Sequence, residues 1–256
     1  PNHAPLPIAE QFGTLDALFP GRIDLGLGRA PGSDQRVAQA MRRDLMSRSE
    51  NFPQDVMELQ AYFAGDARLG FEATPGAGAD VEMWILGSSL YGAQVAAALG
   101  LPYAFASHFA PDMLDEALAV YRRNFRPSER LDRPYAMAGF NIFAAETRDE
   151  AELIATSMMQ SVIALRTGTP GRLQPPQRGY REALPPQGQA MIAQFLSASA
   201  IGTREDAARG LADFVNRTRV DEVIVSGMIF DHEARKRSFA IAAAAALEIA
   251  AEAPVT

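Results

Sequence analysis

Apolar residues in this chain fall into short runs separated by stretches of helical spacing. From Val81 to Leu86 every residue but Glu82 is apolar, a run too short for a free-standing helix and suited to a strand buried on both faces. Gly87, Ser88 and Ser89 interrupt it. Leu90, Ala93, Ala97 and Ala98 then recur at helical spacing as far as Gly100, which suits a left-handed C-cap. A second apolar run, Tyr103 to Ala106, ends in Ser107-His108-Phe109. Strand, small polar turn, helix and strand predict a βαβ unit with parallel strands and a right-handed crossover. Ligands of such units gather at the carboxyl ends of the strands, which sets Gly87, Ser88, Ser89 and His108 at one rim.

The same periodicities extend along the rest of the chain. Ile8, Phe12, Leu15 and Leu18 predict a helix over residues 5–19, closing at Pro20-Gly21. Ile23, Leu25 and Leu27 alternate as in a strand, while Gly26 and Gly28 allow close backbone approach on its other face. Helices are predicted over residues 34–47 and 53–63, after Pro111, over 149–166 and over 232–251. Tyr135 to Ala145 reads as a buried strand with Asn141 its one polar exception, and Glu222 to Ile229 as the last strand. Between Glu146 and Val220 no strand is predicted: residues 168–188 form a Pro-, Gly- and Gln-rich excursion, and Thr203 with Asp206 marks a capping box. The five strands, at 23–28, 81–87, 103–107, 135–145 and 222–229, give an α/β fold with a parallel sheet. A complete (β/α)8 barrel takes about 250 residues, and here one connection consumes residues 146–220. The pattern therefore fits an open five-stranded sheet or a barrel whose first strands are missing. The start at Pro1-Asn2-His3, without methionine, favours the second.

Composition narrows the function classes. A net charge of −7 with a pI near 5.1, and no basic run, argues against nucleic acid or an anionic membrane as the main partner. Zero cysteines rule out disulfides, thiolate metal sites and cysteine nucleophiles, and fit a cytoplasmic protein. The longest fully apolar run, Phe239 to Leu247, is about half the length of a membrane span, and no signal peptide opens the chain.

Three stretches carry a family resemblance. GRIDLGLGRAPGSD, followed by MWILGSSLYGAQVAAALGLPYAFASHFAP, resembles the bacterial-luciferase-like flavin monooxygenases, in particular the luciferase-family oxidoreductase branch. PNHAPLPIAEQFGTLDALFPGR resembles that family's segment from the end of the third barrel strand through the third helix. The resemblance spans nearly the whole chain and is weakest from about Leu173 to Gln189. It implies a TIM (β/α)8 barrel lacking roughly its first two to three strands. Residues 1–256 would form a single domain with a lid-like insertion at about 146–220.

Six residues are candidates for the site. Gly87, Ser88 and Ser89 bring two hydroxyls and successive N–H groups to a helix N-terminus, which suits an anion, although a serine there can equally be a simple N-cap. Arg29, just past its strand, can meet a phosphate with a bidentate pair of bonds or else pair with Asp24 or Asp34. The resemblance implies that Arg29, Ser88 and Ser89 hold the phosphate of flavin mononucleotide (FMN). His108 and His3 stand at predicted strand ends, where a histidine can transfer protons near neutral pH or be hydrogen-bonded without a chemical role. His232, beside Asp231, reads as structural, and three scattered histidines make no metal pattern.

The resemblance implies an oxidoreductase, a monooxygenase using reduced FMN and O2 on an aldehyde, ketone or similar apolar small molecule. A separate flavin reductase would supply the flavin, and the chain would form a homodimer. Two alternatives stand beside it: hydride transfer with the deazaflavin F420, and a non-catalytic flavin-binding protein.

Overall fold

The computed structural model describes residues 3–29 and 51–252, so the helix expected over 34–47 lies outside the described residues. The chain divides into two compact units. One comprises Pro1–Ala104 and Ala119–Tyr135, the other Phe105–Leu118 and Ala136–Thr256.

In the first unit, helix α1 (Pro5–Leu18) begins with proline, whose missing N–H costs nothing at a helix start, and buries Pro5, Ala9 and Gly13. Strand β1 (Asp24–Gly28) pairs in parallel with β2 (Glu82–Gly87), in register from Asp24 opposite Glu82 to Gly28 opposite Leu86. A Cβ on Gly26 would sit 2.8 Å from Leu86 Cδ1, so glycine here permits the close approach expected from the sequence. Helix α2 (Phe52–Ala64) buries Val56, Leu59 and Phe63. Helix α3 (Leu90–Leu99) follows β2 and stops at Gly100, whose φ of 62° is the left-handed cap. Strand β3 (Tyr103–Phe105) comes next, with β2 between it and β1.

Beneath these strands lies a buried tyrosine pair. The rings of Tyr103 and Tyr121 are 5.4 Å apart and both are fully buried. Tyr121 Oη reaches Leu101 O at 2.9 Å and Tyr135 O at 3.1 Å, and accepts from Tyr135 N at 3.1 Å. One hydroxyl thus serves main-chain groups of two separate segments. Tyr121 belongs to helix α4 (Leu114–Asn124), which a 3-10 turn at Pro111–Met113 precedes.

The second unit is built on β4 (Ala136–Ala144), buried along nearly its whole length as a strand covered on both faces must be. Helix α5 (Arg148–Arg166) follows it, then the short α6 (Tyr180–Ala183) and α7 (Pro186–Phe195). A sixth strand, β5 (Ser199–Gly202), was not expected. It pairs in parallel with β4 from Asn141 opposite Ser199 to Ala144 opposite Gly202. Four residues of mixed small and polar character leave no periodic signal, and pairing with an already buried strand, not propensity, makes them a strand. Helix α8 (Arg204–Thr218) opens with the predicted capping box of Thr203 and Asp206.

Strand β6 (Glu222–Ser226) pairs in parallel with β4 and ends three residues before the expected Ile229. The break comes at Gly227, where a Cβ would lie 2.8 Å from Ile142 O, and Ile229 N turns back to Gly227 O. Helix α9 (His232–Glu252) closes the described chain. Between α5 and α6 the polar excursion is tied down rather than loose. Gln160 Nε2 donates to Pro175 O at 2.9 Å, and Gln177 N donates to Thr156 Oγ1 at 2.9 Å.

Tyr121→Phe keeps the ring but removes the hydroxyl's bonds to Leu101 O, Tyr135 O and Tyr135 N, so it should lower unfolding free energy by about 2 kcal/mol in urea titrations. A loss below about 0.5 kcal/mol would show that the hydroxyl is not a structural hub.

Candidate functional site

The turn after β2 is shaped from below. A Cβ on Gly87 would meet Tyr103 Oη at 3.3 Å and Gly92 Cα at 3.4 Å, so strand end and first helical turn pack backbone to backbone. Tyr103 Oη donates to Ser89 O at 3.2 Å, and burial pushes the phenol's pKa up, keeping it a neutral donor. Ser89 is the N-cap residue of α3, with extended φ and ψ of −149° and 171°, yet its side chain makes no capping bond. Ser88 and Ser89 are both exposed. The simple N-cap reading therefore fails at the side chain. The first-turn amides of α3 keep their positive end, and two hydroxyls stand free beside it.

Arg29 follows directly on β1, the parallel neighbour of β2. Its guanidinium lies over the ring of Tyr91, 3.9 Å from the centroid, and among the described residues it forms no ion pair with a carboxylate; Asp34 lies outside them. Tyr91 is in the first turn of α3, two residues past Ser89. A guanidinium restrained over an aromatic ring can still meet a phosphate with a bidentate pair of N–H donors. At an exposed site such a pair is worth about 0.5–1 kcal/mol, mostly as restraint of the cation. Arg29, Gly87, Ser88 and Ser89 are thus gathered at the ends of two paired strands. The arrangement fits a phosphate monoester: one fixed cation, two hydroxyls and a helix N-terminus.

Sequence reasoning missed Tyr91 and Tyr103. Tyr91 sits 62 positions after Arg29, and no local spacing rule pairs an arginine with an aromatic that far away. Tyr103 read as part of an apolar strand, and its hydroxyl was the only available hint.

His108 belongs to the second unit, in the turn after β3. Ser107 Oγ donates to Gly139 O at 2.6 Å, and Asn141 Nδ2 donates to His108 O at 2.7 Å, so β4 fixes the turn on both sides of the imidazole. The ring is half-buried, and its Nδ1 is buried without a hydrogen-bond partner. Desolvation lowers its pKa from the ordinary 6.5, which leaves it neutral at pH 7. Asn141, noted in the sequence as a polar exception in its strand, earns its place through this bond. Next to the turn is a cavity of about 400 Å³ lined by Phe109, Pro111, Val162, Met191, Phe195 and Arg166, among others. It lies within the size range of small-ligand pockets.

His3 is not gathered with the phosphate candidates. It is exposed and lines a cavity of about 420 Å³ with Phe12, Phe52 and the β1 residues Leu25 to Gly28, which lead into Arg29. His232 Nδ1 lies 2.8 Å from Arg235, and Asp231 caps α9 through Ala234 N at 2.7 Å, a structural arrangement as expected. Among the described residues no cluster of three or more His, Cys, Asp or Glu could hold a metal, and no helix is long and apolar enough to cross a membrane.

Parallel strands joined by helical crossovers define an α/β protein of the barrel-forming kind. The chain belongs to the luciferase-like monooxygenase family, whose profile matches residues 1–222. It is 52% identical over 243 residues to a luciferase-like monooxygenase of Escherichia coli K12, covering 94% of this chain and 72% of that protein. Among solved structures, apo-MsnO8 superposes with a TM-score of 0.82 at 29% identity, covering 97% of this chain and 75% of that one. The FMN complex of the oxygenating constituent of 3,6-diketocamphane monooxygenase from Pseudomonas putida shares the fold. It has a TM-score of 0.62 at 12% identity, covering 94% of this chain and 74% of that one. An F420-dependent secondary alcohol dehydrogenase does too, with a TM-score of 0.61 at 10% identity and coverage of 94% and 76%. These findings agree with the fold class and family drawn from the sequence, and with an oxidoreductase.

The depressed pKa of His108 has a stability consequence. Below 6.5 the unfolded chain binds a proton that the folded imidazole refuses, so stability falls as pH drops from 6.5 to the folded pKa and is flat below it. His108→Gln removes that proton, and denaturant titrations of both proteins should show the wild type losing ground to the variant over this window. A pH-independent difference between them would mean that His108 titrates normally.

Proposed function

We propose that this protein is an FMN-dependent monooxygenase that uses reduced FMN and O2 to oxygenate a small aldehyde, ketone or similar apolar molecule. The observation that carries the reading is the Arg29 guanidinium stacked on Tyr91 beside the uncapped Ser89 turn. Arg29 and the hydroxyls of Ser88 and Ser89 hold the phosphate, with the α3 amides completing the anion site. Gly87 lets the turn sit close enough to its helix for those donors to converge. When bound, reduced FMN supplies the electrons for oxygen chemistry, and the protein's part is to bind, orient and exclude water.

The organic substrate occupies the cavity beside Phe109, whose phenylalanine, valine and methionine side chains suit an apolar body. His108, next in sequence to Phe109 of that cavity, is the polar group we assign to the organic substrate. His3, in its own cavity, has less support as a reacting group. The family resemblance supports further elements of the reading: a cytoplasmic flavoprotein, one barrel domain over residues 1–256 with a lid formed by the insertion, a homodimer, and a separate reductase partner. Lid motion requires the two bonds from Gln160 and to Thr156 to break.

A second reading, hydride transfer with F420, rests on the F420-dependent structural neighbour. The phosphate cradle serves either cofactor, so absorbance titrations with both decide between them. Arg29→Ala should weaken FMN binding at least tenfold, the loss of roughly one charge-assisted bond. An unchanged dissociation constant removes Arg29 from the site. Oxygen-dependent consumption of an aldehyde or ketone is expected with reduced FMN, and flavin binding without turnover would favour a storage protein.

A further inference from the structure

Four facts converge on the imidazole of His108. Its turn is bonded to β4 through Ser107 Oγ to Gly139 O and Asn141 Nδ2 to His108 O. Gly139, fully enclosed in β4, lies directly beneath the ring. A Cβ there would overlap Nδ1 and lie 2.9 Å from Cγ. Nδ1 itself is buried and finds neither a donor nor an acceptor. The residue as a whole is partly exposed, and of its two ring nitrogens only Nδ1 is buried without a partner, which leaves Nε2 as the nitrogen able to meet a ligand.

We propose that His108 is a hydrogen-bond donor of fixed tautomer, presenting Nε2–H to a carbonyl oxygen, and that Gly139 is the residue that positions it. The proposal rests on the reading that His108 faces the reaction, and it replaces a proton-transfer role with a donor role. A proton on Nδ1 would be a buried N–H pressed against a glycine Cα with nothing to receive it, the least tolerated kind of unsatisfied group. A lone pair in the same place loses less, since a Cα–H can approach it weakly. The neutral ring therefore carries its proton on Nε2. The charged ring, which needs both protons, is disfavoured for the same reason, in line with the lowered pKa. A neutral Nε2–H can donate to an oxygen acceptor but cannot take up a proton without burying an unpaired Nδ1–H. Its natural partner is a carbonyl oxygen, from the organic substrate or from the flavin ring.

Any β-carbon at position 139 expels the ring from this seat. The backbone bonds from Ser107 and Asn141 would survive, because both end on main-chain oxygens. Gly139→Ala thus separates the placement of the imidazole from the placement of its turn.

Two-bond 1H–15N correlation spectra of uniformly labelled protein at neutral pH read the tautomer directly, and only three histidines need assigning. His108→Gln identifies the signal by its loss. The expected result is the Nε2–H pattern in the wild type and its replacement by a mixed or titrating pattern in Gly139→Ala. An Nδ1–H tautomer or an imidazolium in the wild type overturns the proposal. This spectrum needs neither flavin nor substrate, so its outcome is independent of whether the FMN reading holds.

Should Gly139→Ala not fold, side-chain surrogates give the same test. Glutamine can set its amide N–H near the Nε2 position, whereas asparagine reaches only the Nδ1 position. His108→Gln should keep kcat/KM within about tenfold of wild type, with His108→Asn and His108→Ala at least tenfold lower again, the scale of one hydrogen bond. Equal losses in all three, or no loss in any, overturn the donor role. A rise in substrate KM assigns the bonded oxygen to the substrate, and a rise in the FMN dissociation constant assigns it to the flavin.

Discussion

Strand Ala136–Ala144 is buried along nearly its whole length, so its polar groups depend on partners within the protein, although Asn141 Oδ1 has none among the described residues. That constraint shapes the second unit. At the strand's start, Ala136 N donates to Asp221 Oδ2 at 2.8 Å while Asp221 N donates to Ala136 O at 2.8 Å, which clamps the entry to β6. At its end, Ala144 N donates to the fully buried Ser238 Oγ at 2.9 Å, so α9 is held to the strand by a hydroxyl rather than by apolar contact alone. In the middle, Gly139 O and the Asn141 amide hold the His108 turn. On the helical side, Phe140 packs on Phe214 of α8 at a centroid distance of 4.7 Å, adding about 0.5–1.5 kcal/mol beyond burial. The bonds that let the strand be buried also place the imidazole.

The first unit solves a different problem, how to leave donors unpaired without cost. Ser88 and Ser89 are exposed, so water can satisfy their hydroxyls, and under the proposed reading an anion would take its place. What must be rigid is the backbone, and this is where the buried groups go. Gly87 and Gly92 allow close packing, and the Tyr103 hydroxyl fixes the Ser89 carbonyl. Tyr91 restrains Arg29 through a 3.9 Å cation–ring contact. Preorganised donors bind an anion more tightly than mobile ones because less side-chain entropy is lost on binding.

Much of this was legible in the sequence, and the gaps have physical causes. The βαβ unit around Gly87, the C-cap at Gly100 and the capping box at Thr203 all appear where the pattern put them, since each depends on local chemistry. Strand β5 was missed because four residues, Ser199–Gly202, owe their conformation to the pairing with β4. The early stop of β6 at Ser226 depends on how close Gly227 comes to Ile142 O, a contact more than eighty positions away. In the candidate site, Arg29, Ser88 and Ser89 were readable from their places at strand ends. Tyr91 and Gly139 were not, because each matters only through the side chain that the fold lays against it. A glycine inside an apolar strand was the available sign of such a close approach.

Under the proposed reading the protein grips its cofactor by the phosphate. Comparing FMN with riboflavin, which lacks only that group, tests it most directly. Fluorescence titrations should show FMN binding at least tenfold more tightly than riboflavin to the wild type, with the advantage largely gone in Arg29→Ala. Equal affinity of the wild type for the two flavins would contradict the account.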